Sequence, residues 1–409
     1  MTADGAAWLP SLEELRAARA IVDRIARRTP VLRSSSLSAR TGADVWLKAE
    51  HLQLTGSFKI RGAVVRLARL SEEERARGVV AASAGNHAQG VARAARSLGI
   101  SARIYMPADA ALPKLAATRD YGAEVVPVEG RLSAALDAAI AECESSGRTL
   151  IHPFDHEDIV CGQASVGLEI LEQVPDAATI VVPTGGGGLL AGVAAAAAVA
   201  RPGVRVIGVQ AEKAAAWPGS MTSGHPVALA DTRTMADGIA VARPGDVPFG
   251  IVSALGPEIR TVTEEQLSRG LLHMTERAKQ VIEPSAAAGV AAVLARPGDF
   301  ADGPTVVLLS GGNVDPLVLL RVVRHGLVAA GRFVTLRFLI TDEPGELAGV
   351  LDRLGALGVN VLSVEHSRTA PTLAVDQVEL TVEVEAKGPD HEHEIREALV
   401  RDGRTLLAP

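Results

Sequence analysis

The chain contains 409 residues with a mass of 42.4 kDa, which is large for one domain and predicts two or three. Hydrophobic residues make up 47 % and charged residues 22 %, a balance that excludes a disordered chain. Aromatic residues make up 3 % and the net charge is −7, so neither stacking rings nor a basic surface indicates a nucleic-acid partner. The two cysteines, Cys143 and Cys161, cannot form a disulfide framework, and we expect a cytoplasmic protein.

Neither the N-terminus nor the most apolar segment predicts a targeting or membrane sequence. The N-terminal residues are rich in arginine, but acidic residues interrupt them, and Ser11 with Glu14 forms a capping-box pattern that indicates a plain helix. Residues 177–200 carry no charge and are long enough to cross a bilayer. Pro183 and the glycines at 185–188 interrupt that segment, so we expect a strand, a turn and an alanine-rich helix, and no membrane partner.

Residues 1–330 alternate short Val- and Ile-rich runs with amphipathic patterns. The runs typical of buried strands are Val45–Leu47, Val79–Ser83, Arg103–Met106, Glu124–Val128, Ile180–Val182, Val204–Gln210 and Thr305–Leu309. Helical patterns such as Ala88–Leu98 and Leu132–Glu144 lie between several of them. This alternation predicts an α/β fold with mostly parallel sheets, in which ligands bind at the carboxyl ends of the strands.

The pattern changes near residue 330, after a helix at Leu317–Ala329 that Gly331 ends. Strand, helix, strand, strand and helix then follow, at Val334–Thr341, Leu347–Leu357, Asn360–Glu365, Val378–Val384 and His391–Val400. In the third of these strands apolar and polar residues alternate, which is typical of a half-exposed antiparallel strand. Residues 333–409 therefore predict a compact α+β module.

Four motifs at predicted strand ends carry the candidate chemistry: Gly56-Ser57-Phe58-Lys59, Ser83-Ala84-Gly85-Asn86-His87, Gly185-Gly186-Gly187-Gly188-Leu189 and Ser310-Gly311-Gly312-Asn313. In the first motif Lys59 lies between Phe58 and Ile60, and a lysine in an apolar setting loses its charge readily enough to form a Schiff base. A surface lysine at the start of a helix is the alternative.

Two of the motifs offer anion sites. The four glycines follow a predicted strand and precede a helix, so their N–H groups could surround a phosphate. Because the spacing matches no standard nucleotide-binding motif, a flexible turn is the alternative. The segment from Ser83 to His87 places donors at a helix N-terminus, which suits a carboxylate. Taken alone, His87 is more typical of a structural residue, Asn86 of a helix cap and Ser310 of an ordinary cap.

Together the motifs supply an amine, an anion cup, a carboxylate loop and a neutral hydroxyl, which suits a phosphorylated aldehyde cofactor that holds an amino acid. With GSFKIRGA, SAGNHAQG, GGGGLLAG and SGGN in this order, the chain resembles the fold-type-II pyridoxal-phosphate enzymes, most closely the threonine ammonia-lyase (threonine dehydratase) family. Further motifs that agree are His152-Pro153-Phe154-Asp155, Ala236-Asp237-Gly238, Arg243-Pro244-Gly245 and Glu283-Pro284-Ser285.

The resemblance covers residues 10–325 and implies a two-lobed catalytic domain at 1–325 that is similar to the β subunit of tryptophan synthase. A small lobe at about 50–150 is expected to be inserted in the large lobe. The tail resembles the ACT domain, a ferredoxin-like amino-acid-sensing module, through its turn at 342–347. We therefore expect a linker at 326–332 and an ACT-like regulatory domain at 333–409.

The resemblance also implies roles around pyridoxal 5′-phosphate. Lys59 would bind the cofactor covalently, beside Phe58, and would also act in catalysis. The glycine motif through Leu189 would hold the phosphate, Asn86 the ring hydroxyl and Ser310 the pyridine nitrogen. The substrate carboxylate would lie against Ser83, Ala84, Gly85, Asn86 and His87, of which Ser83 is a second candidate catalytic residue.

The implied reaction is β-elimination from L-threonine to 2-oxobutanoate and ammonia, with some conversion of L-serine to pyruvate. A neutral Ser310 would not keep the pyridine nitrogen protonated, which favours elimination over transamination. A serine dehydratase or racemase of the same fold is the alternative, as is an inactive amino-acid sensor, against which intact Lys59 and Ser310 argue. Serine racemases carry a serine where this chain has Ala84, so we expect elimination rather than racemisation. The acidic metal ligands of racemases are largely missing at Gln210–Ala216, so we expect no required divalent metal.

In the ACT-like domain, the expected effector site lies between the 342–347 turn and a second copy of the domain, with Pro344, Gly345, Leu347 and Asn360. The helix N-terminus at Gly345 suits an amino-acid carboxylate, and isoleucine or valine is the ligand expected from pathway logic. A dimerisation module without a ligand is the alternative. We expect a homodimer or homotetramer.

Overall fold

A computed structural model describes residues 7–368 and 373–407. The chain forms two compact units, divided between Leu319 and Leu320. This division comes earlier than the predicted end of the first domain at residue 325. We refer to the two parts as the N-terminal unit and the C-terminal unit.

The N-terminal unit alternates helices and strands. Its helices are α1 (Leu12–Val22), α2 (Ser35–Thr41), α3 (Lys59–Ala68), α4 (Glu72–Arg77), α5 (Asn86–Leu98), α6 (Leu112–Asp120), α7 (Leu132–Ser146), α8 (Glu157–Gln173), α9 (Gly188–Ala200), α10 (Ala216–Ser223), α11 (Asp246–Leu255), α12 (Glu264–His273) and α13 (Ala287–Ala295). Its strands are β1 (Val31–Arg33), β2 (Val45–Lys48), β3 (Val79–Ala82), β4 (Ala102–Pro107), β5 (Glu124–Val128), β6 (Thr149–Leu150), β7 (Thr179–Pro183), β8 (Arg205–Ala211), β9 (Glu258–Val262) and β10 (Thr305–Leu308).

These strands form two separate sheets, one for each lobe. The larger sheet has the order β1-β2-β10-β7-β8-β9, parallel except for β1. The smaller sheet has the order β5-β4-β3-β6 and is parallel throughout, and its strands lie in the chain between β2 and β7. One apolar core packs α9 and α11 around Leu190 and Val306, and another packs α5 around Val91 and Ile104. The predicted α/β class with parallel-rich sheets is confirmed.

The local predictions agree closely with the observed elements. Glu124–Val128 has the predicted bounds, and the Ser11 capping box is present at the start of α1. The uncharged segment 177–200 forms β7, a glycine turn and α9, because proline and glycine interrupt the apolar run. Within residues 7–368 and 373–407, no helix has both the length and the apolar character needed to span a bilayer.

The C-terminal unit begins within α14 (Pro316–Ala329), at Leu320. Its further elements are β11 (Phe333–Thr341), α15 (Glu346–Ala356), β12 (Asn360–Ser367), β13 (Gln377–Glu385), α16 (Pro389–Arg401) and β14 (Thr405–Leu406). The antiparallel sheet has the order β12-β13-β11-β14. In β13 alternate residues from Val378 to Val384 are buried, as the period of two predicts. The expected linker at 326–332 needs correction, because α14 continues to Ala329 and residues 326–329 are helical.

Candidate active site

A single cleft in the N-terminal unit collects residues from all four motifs. It contains about 1140 Å³ of empty space, part of it open to solvent. It is lined by the predicted residues Phe58, Lys59, Ser83, Ala84, Gly85, Asn86, His87, Gly185, Gly186, Gly187, Gly188, Leu189 and Ser310. The parallel sheets explain this convergence, because strand ends and the N-termini of the following helices meet at one edge of each sheet.

Lys59 is the first residue of α3 and presents its amine to the cleft. Its Nζ donates a hydrogen bond to the Pro153 carbonyl oxygen at 3.0 Å and lies 5.3 Å from the centre of the Phe58 ring. Although the cleft leaves the residue partly accessible, burial of the amine lowers the pKa of Lys59 to about 8, and the charge of Glu283 opposes this shift. The amine is therefore neutral often enough near pH 8 to act as a nucleophile or proton acceptor.

The glycine turn between β7 and α9 has no room for side chains. A Cβ on Gly187, where φ is +99°, would lie 2.2 Å from Trp217 Cζ2, and one on Gly186 would lie 2.5 Å from the Phe154 ring. The Trp217 indole Nε1–H donates to the Gly185 carbonyl oxygen at 2.8 Å and holds the turn. Because α9 begins at Gly188, free N–H groups of its first turn lie at the cleft and suit an anion.

The segment from Ser83 to His87 joins β3 to α5. The Gly85 N–H donates to Ser83 Oγ at 3.1 Å, which shapes a tight turn before the helix. His87 Nε2 donates to the Ile151 carbonyl oxygen at 2.7 Å, while burial, with a smaller contribution from the charge of Lys59, lowers the pKa of His87 to about 3. The His87 ring is therefore neutral, and its Nε2–H group is used in the fold, where it contacts Ile151.

Glu283 is a buried carboxyl group in the cleft to which the sequence assigned no role. Asn86 Nδ2 donates to both Glu283 oxygens, each at 2.9 Å. Burial raises the pKa of Glu283 to about 7, and the negative charge of Asp237 adds to the shift. In the sequence, only the motif at 283–285 indicated that Glu283 belongs to the active site. A single glutamate carries no local pattern that shows whether it is buried.

An ion pair joins the lobes beside the cleft. Lys114 Nζ on α6 lies 2.8 Å from Asp237 Oδ2 and packs against the Ser83–His87 segment, since a Cβ on Gly85 would lie 3.4 Å from the same nitrogen. Lys114 therefore adds a cation near the expected carboxylate position. Among the described residues, no group of three or more His, Cys, Asp or Glu could hold a metal ion.

The polar groups of the cleft fit pyridoxal 5′-phosphate. Ser310 is buried at the cleft, and its carbonyl oxygen accepts from the Phe58 N–H at 3.1 Å, which ties this loop to the one that carries Lys59. Ser285 Oγ lies in the same cleft, buried and without a hydrogen-bond partner among the described residues. Buried hydroxyls seldom lack a partner. This unpaired hydroxyl, the side-chain-free glycine turn and the amine together match a phosphorylated carbonyl compound.

The four predicted effector residues lie at two ends of the C-terminal sheet: Pro344, Gly345 and Leu347 at one end, and Asn360 at the other. The turn with the first three follows the end of β11, at Thr341. Asn360 begins β12 and pairs with Glu385, which pairs with Phe333 at the start of β11. The expectation that Asn360 lies near the turn is corrected for a single chain, because the antiparallel register places it at the opposite end.

Fold and cleft define a pyridoxal-phosphate enzyme, and comparison with known proteins agrees. The family model described as pyridoxal-phosphate dependent enzyme matches residues 22–311, more than half of the chain. The chain belongs to this family. The predicted cofactor, pyridoxal 5′-phosphate, is thereby confirmed.

Individual proteins of known name are similar to this chain along most of its length. The chain is 43 % identical over 394 residues to an L-threonine ammonia-lyase of Thermotoga maritima, and this alignment covers 96 % of this chain and 98 % of the relative. It is 40 % identical over 369 residues to an L-threonine ammonia-lyase of Geobacter sulfurreducens, covering 90 % and 92 %. The chain is also similar to the crystal structure of a threonine deaminase from T.th., with a TM-score of 0.71 and 41 % identity; the match covers 75 % of this chain and 99 % of that structure. Maize serine racemase matches at a TM-score of 0.73 with 33 % identity, covering 77 % and 97 %.

Proposed function

We propose that the protein is a threonine ammonia-lyase, which converts L-threonine to 2-oxobutanoate and ammonia and also acts on L-serine. The observation that carries this proposal is the 43 % identity, along almost the whole chain, to a relative of that name, combined with a cleft that contains every predicted catalytic, cofactor-binding and substrate-binding residue. Threonine and serine differ by one methyl group, which a pocket distinguishes by only about 1–3 kcal/mol, so some serine turnover is expected.

Residues from all four motifs would hold the cofactor. Lys59 would bind its carbonyl carbon, the turn from Gly185 to Leu189 its phosphate, Asn86 its ring hydroxyl and Ser310 its pyridine nitrogen. When bound, pyridoxal phosphate supplies an electron sink for negative charge that develops at the substrate Cα. A serine hydroxyl at the pyridine nitrogen carries no charge, so this sink is weaker than one paired with an aspartate. The weaker sink favours prompt loss of the β-hydroxyl over transamination.

The side chains around the substrate provide binding and proton transfer. The turn from Ser83 to His87 offers backbone donors at the start of α5 for the substrate carboxylate, and Ser83 keeps its own hydroxyl proton for the same task. Lys59, with a pKa lowered to about 8 by burial, accepts the proton from Cα. Ala84 has no proton to give, so the cleft offers no acid–base group at that position for racemisation.

An ammonia-release assay with a panel of amino acids tests the activity. Threonine is expected to be the best substrate, serine a poorer one, and a metal chelator without effect. Lys59→Ala is expected to abolish turnover and the visible absorption of the bound cofactor, whereas Lys213→Ala, an exposed lysine that does not line the cleft, leaves both unchanged. Normal 2-oxobutanoate production by Lys59→Ala would refute the proposed function.

The C-terminal unit is proposed to be an ACT-like regulator that binds a branched-chain amino acid. Its order of strand, helix, two strands and helix supports this role. Gly345, with φ of +97°, caps the N-terminus of α15, whose first turn has free N–H groups for a carboxylate. A site that includes both this turn and Asn360 requires a second copy of the chain, which accords with the proposed homodimer or homotetramer.

Calorimetry with isoleucine and with valine, together with light scattering, tests this regulation. Binding of either amino acid and a changed threonine rate are expected for the full chain. Both effects are expected to disappear when the chain is truncated before Phe333. If neither amino acid binds and truncation leaves the threonine kinetics unchanged, the regulatory role is refuted, and the unit is at most a dimerisation module.

A further inference from the structure

Asn313, the last residue of the fourth motif, connects three segments around the cleft. Its Nδ2 group donates to the Thr55 carbonyl oxygen at 2.7 Å, to Asn86 Oδ1 at 2.8 Å and to Gln89 Oε1 at 3.2 Å. Gly56 leaves the room for this side chain, because a Cβ there would lie 2.3 Å from Asn313 Oδ1. The residue has no part in the reaction as described above.

These contacts and those of Glu283 together determine which way the Asn86 amide points. A backbone carbonyl can only accept, so the Asn313 atom beside the Thr55 oxygen must be the nitrogen. The Asn86 atom 2.8 Å from that nitrogen is then the oxygen. The Asn86 nitrogen therefore faces the opposite way, where both Glu283 oxygens lie 2.9 Å from it.

We propose that Asn313 is a positioning residue that holds the NH₂ group of Asn86 toward the cofactor ring and Glu283. The proposal rests on the proposed function, in which Asn86 donates to the ring hydroxyl oxygen. The NH₂ group has two hydrogens, enough for the ring oxygen and for Glu283. If the Asn86 amide turned over, its oxygen would face both acceptors and disfavour the ionised form of each.

The orientation of the Asn86 amide affects the ionisation of both Glu283 and the cofactor ring. Burial and the charge of Asp237 raise the pKa of Glu283 to about 7, whereas the hydrogen bond from Asn86 and the charges of Lys114 and Lys59 lower it. Turning the Asn86 amide over removes a hydrogen bond that stabilises the carboxylate. The pKa of Glu283 then rises further, and so does that of the cofactor ring hydroxyl.

The test compares Asn313→Asp and Asn313→Ala with Gln89→Leu. Asn313→Asp keeps the shape but places acceptors against the Thr55 carbonyl and the Asn86 oxygen, so the Asn86 amide turns over. Asn313→Ala removes all three contacts without adding charge. Gln89→Leu removes only the longest contact, so Thr55 and Asn86 still hold the Asn313 amide.

Two readouts need no substrate: the dissociation constant of pyridoxal phosphate, and the absorption of the bound cofactor as a function of pH, which reports ionisation of its ring. Both Asn313 variants are expected to bind the cofactor about tenfold more weakly, the effect of about one net hydrogen bond. Their absorption transition is expected to move to higher pH. Gln89→Leu is expected to match the wild type in both readouts.

Wild-type affinity and an unshifted transition in either Asn313 variant would overturn the proposal, and so would the same shift in Gln89→Leu. Circular dichroism of each variant identifies a general loss of the fold, and if one Asn313 variant does not fold, the other decides. Because the spectra are recorded without threonine, a wild-type enzyme that released no ammonia would refute the proposed function while these spectra still tested Asn313.

Discussion

Arg61→Met is expected to destabilise the N-terminal unit by about 3–5 kcal/mol, because it removes one of two cations from a buried cluster of four charges. Arg61 Nε lies 2.8 Å from Glu50, and another guanidinium nitrogen lies 2.7 Å from Glu169. Lys48 Nζ completes the cluster, 2.5 Å from Glu169. All four side chains have no exposed surface, so the variant leaves a buried carboxylate without its partner.

The pH dependence of this loss has a definite sign. Burial by itself raises the pKa of Glu169, but Arg61 and Lys48 outweigh it and hold the pKa below the ordinary 4.5. A carboxyl group with a lowered pKa in the folded state stabilises the fold above its unfolded pKa, and this stabilisation disappears as the pH falls. The difference between wild type and Arg61→Met is therefore expected to be largest at neutral pH and smaller in acid.

Thermal unfolding of the full-length holoenzyme measures the effect. At about 2 °C per kcal/mol for a unit of this size, Tm is expected to fall by roughly 6–10 °C. Arg69→Met is the matched control at the C-terminal end of α3, since Arg69 pairs with Asp158 at 2.6 Å but is 32 % exposed, and should lose less than about 1 kcal/mol.

A second variant separates lost charge balance from lost packing. Adding Glu50→Gln to Arg61→Met is expected to recover part of the stability, because it neutralises the carboxylate that the first change leaves unpaired. A Tm for Arg61→Met within about 2 °C of the wild type, or an equal loss for Arg69→Met, would refute the reasoning.

Two further predictions concern the cofactor site. Gly187→Ala is expected to weaken pyridoxal-phosphate binding at least about tenfold, since its Cβ would lie 2.2 Å from Trp217. Gly203→Ala is the control, because Gly203 has a similar φ of +101° but nothing within 4 Å of its Cβ position, and this variant is expected to lose only about 1–2 kcal/mol of stability. Equal cofactor affinity in the two variants, measured by fluorescence titration, would contradict the prediction. The rate at which the apoenzyme binds the cofactor covalently is expected to rise with pH around a midpoint near 8, because only the neutral Lys59 amine reacts. Stopped-flow absorption measures this rate. A rate that kept rising toward pH 10.5, the ordinary lysine value, would contradict the prediction.

The strands predicted from the sequence are those with a short apolar run or a strict alternation of apolar and polar residues. The alternation in β13 and the apolar run of β7 report burial residue by residue, so the predicted strands lie within a residue or two of the observed ones. The motif residues follow the same logic, because each lies at the end of a predicted parallel strand, and such ends converge on one edge. The sequence alone therefore places Lys59 and the glycine turn in one cleft.

The residues that tune the cleft could not be predicted in this way. Glu283 contacts Asn86 across 197 positions of the chain, and Asn313 contacts it across 227. No local pattern distinguishes a buried glutamate or a connecting asparagine from an exposed one. Asn360 shows the same limit, because the register of β12 on β13, and not its distance along the chain, places it away from the 342–347 turn.

The sequence by itself determined the order of strands and helices, the motifs at their ends and the family, because each depends on residues close together in the chain. The tertiary structure alone decided which charges are buried, which way the Asn86 amide points, and how far the pKa values of Lys59 and Glu283 move. These properties arise from desolvation and from partners that are distant in sequence, and both exist only when the lobes are packed together.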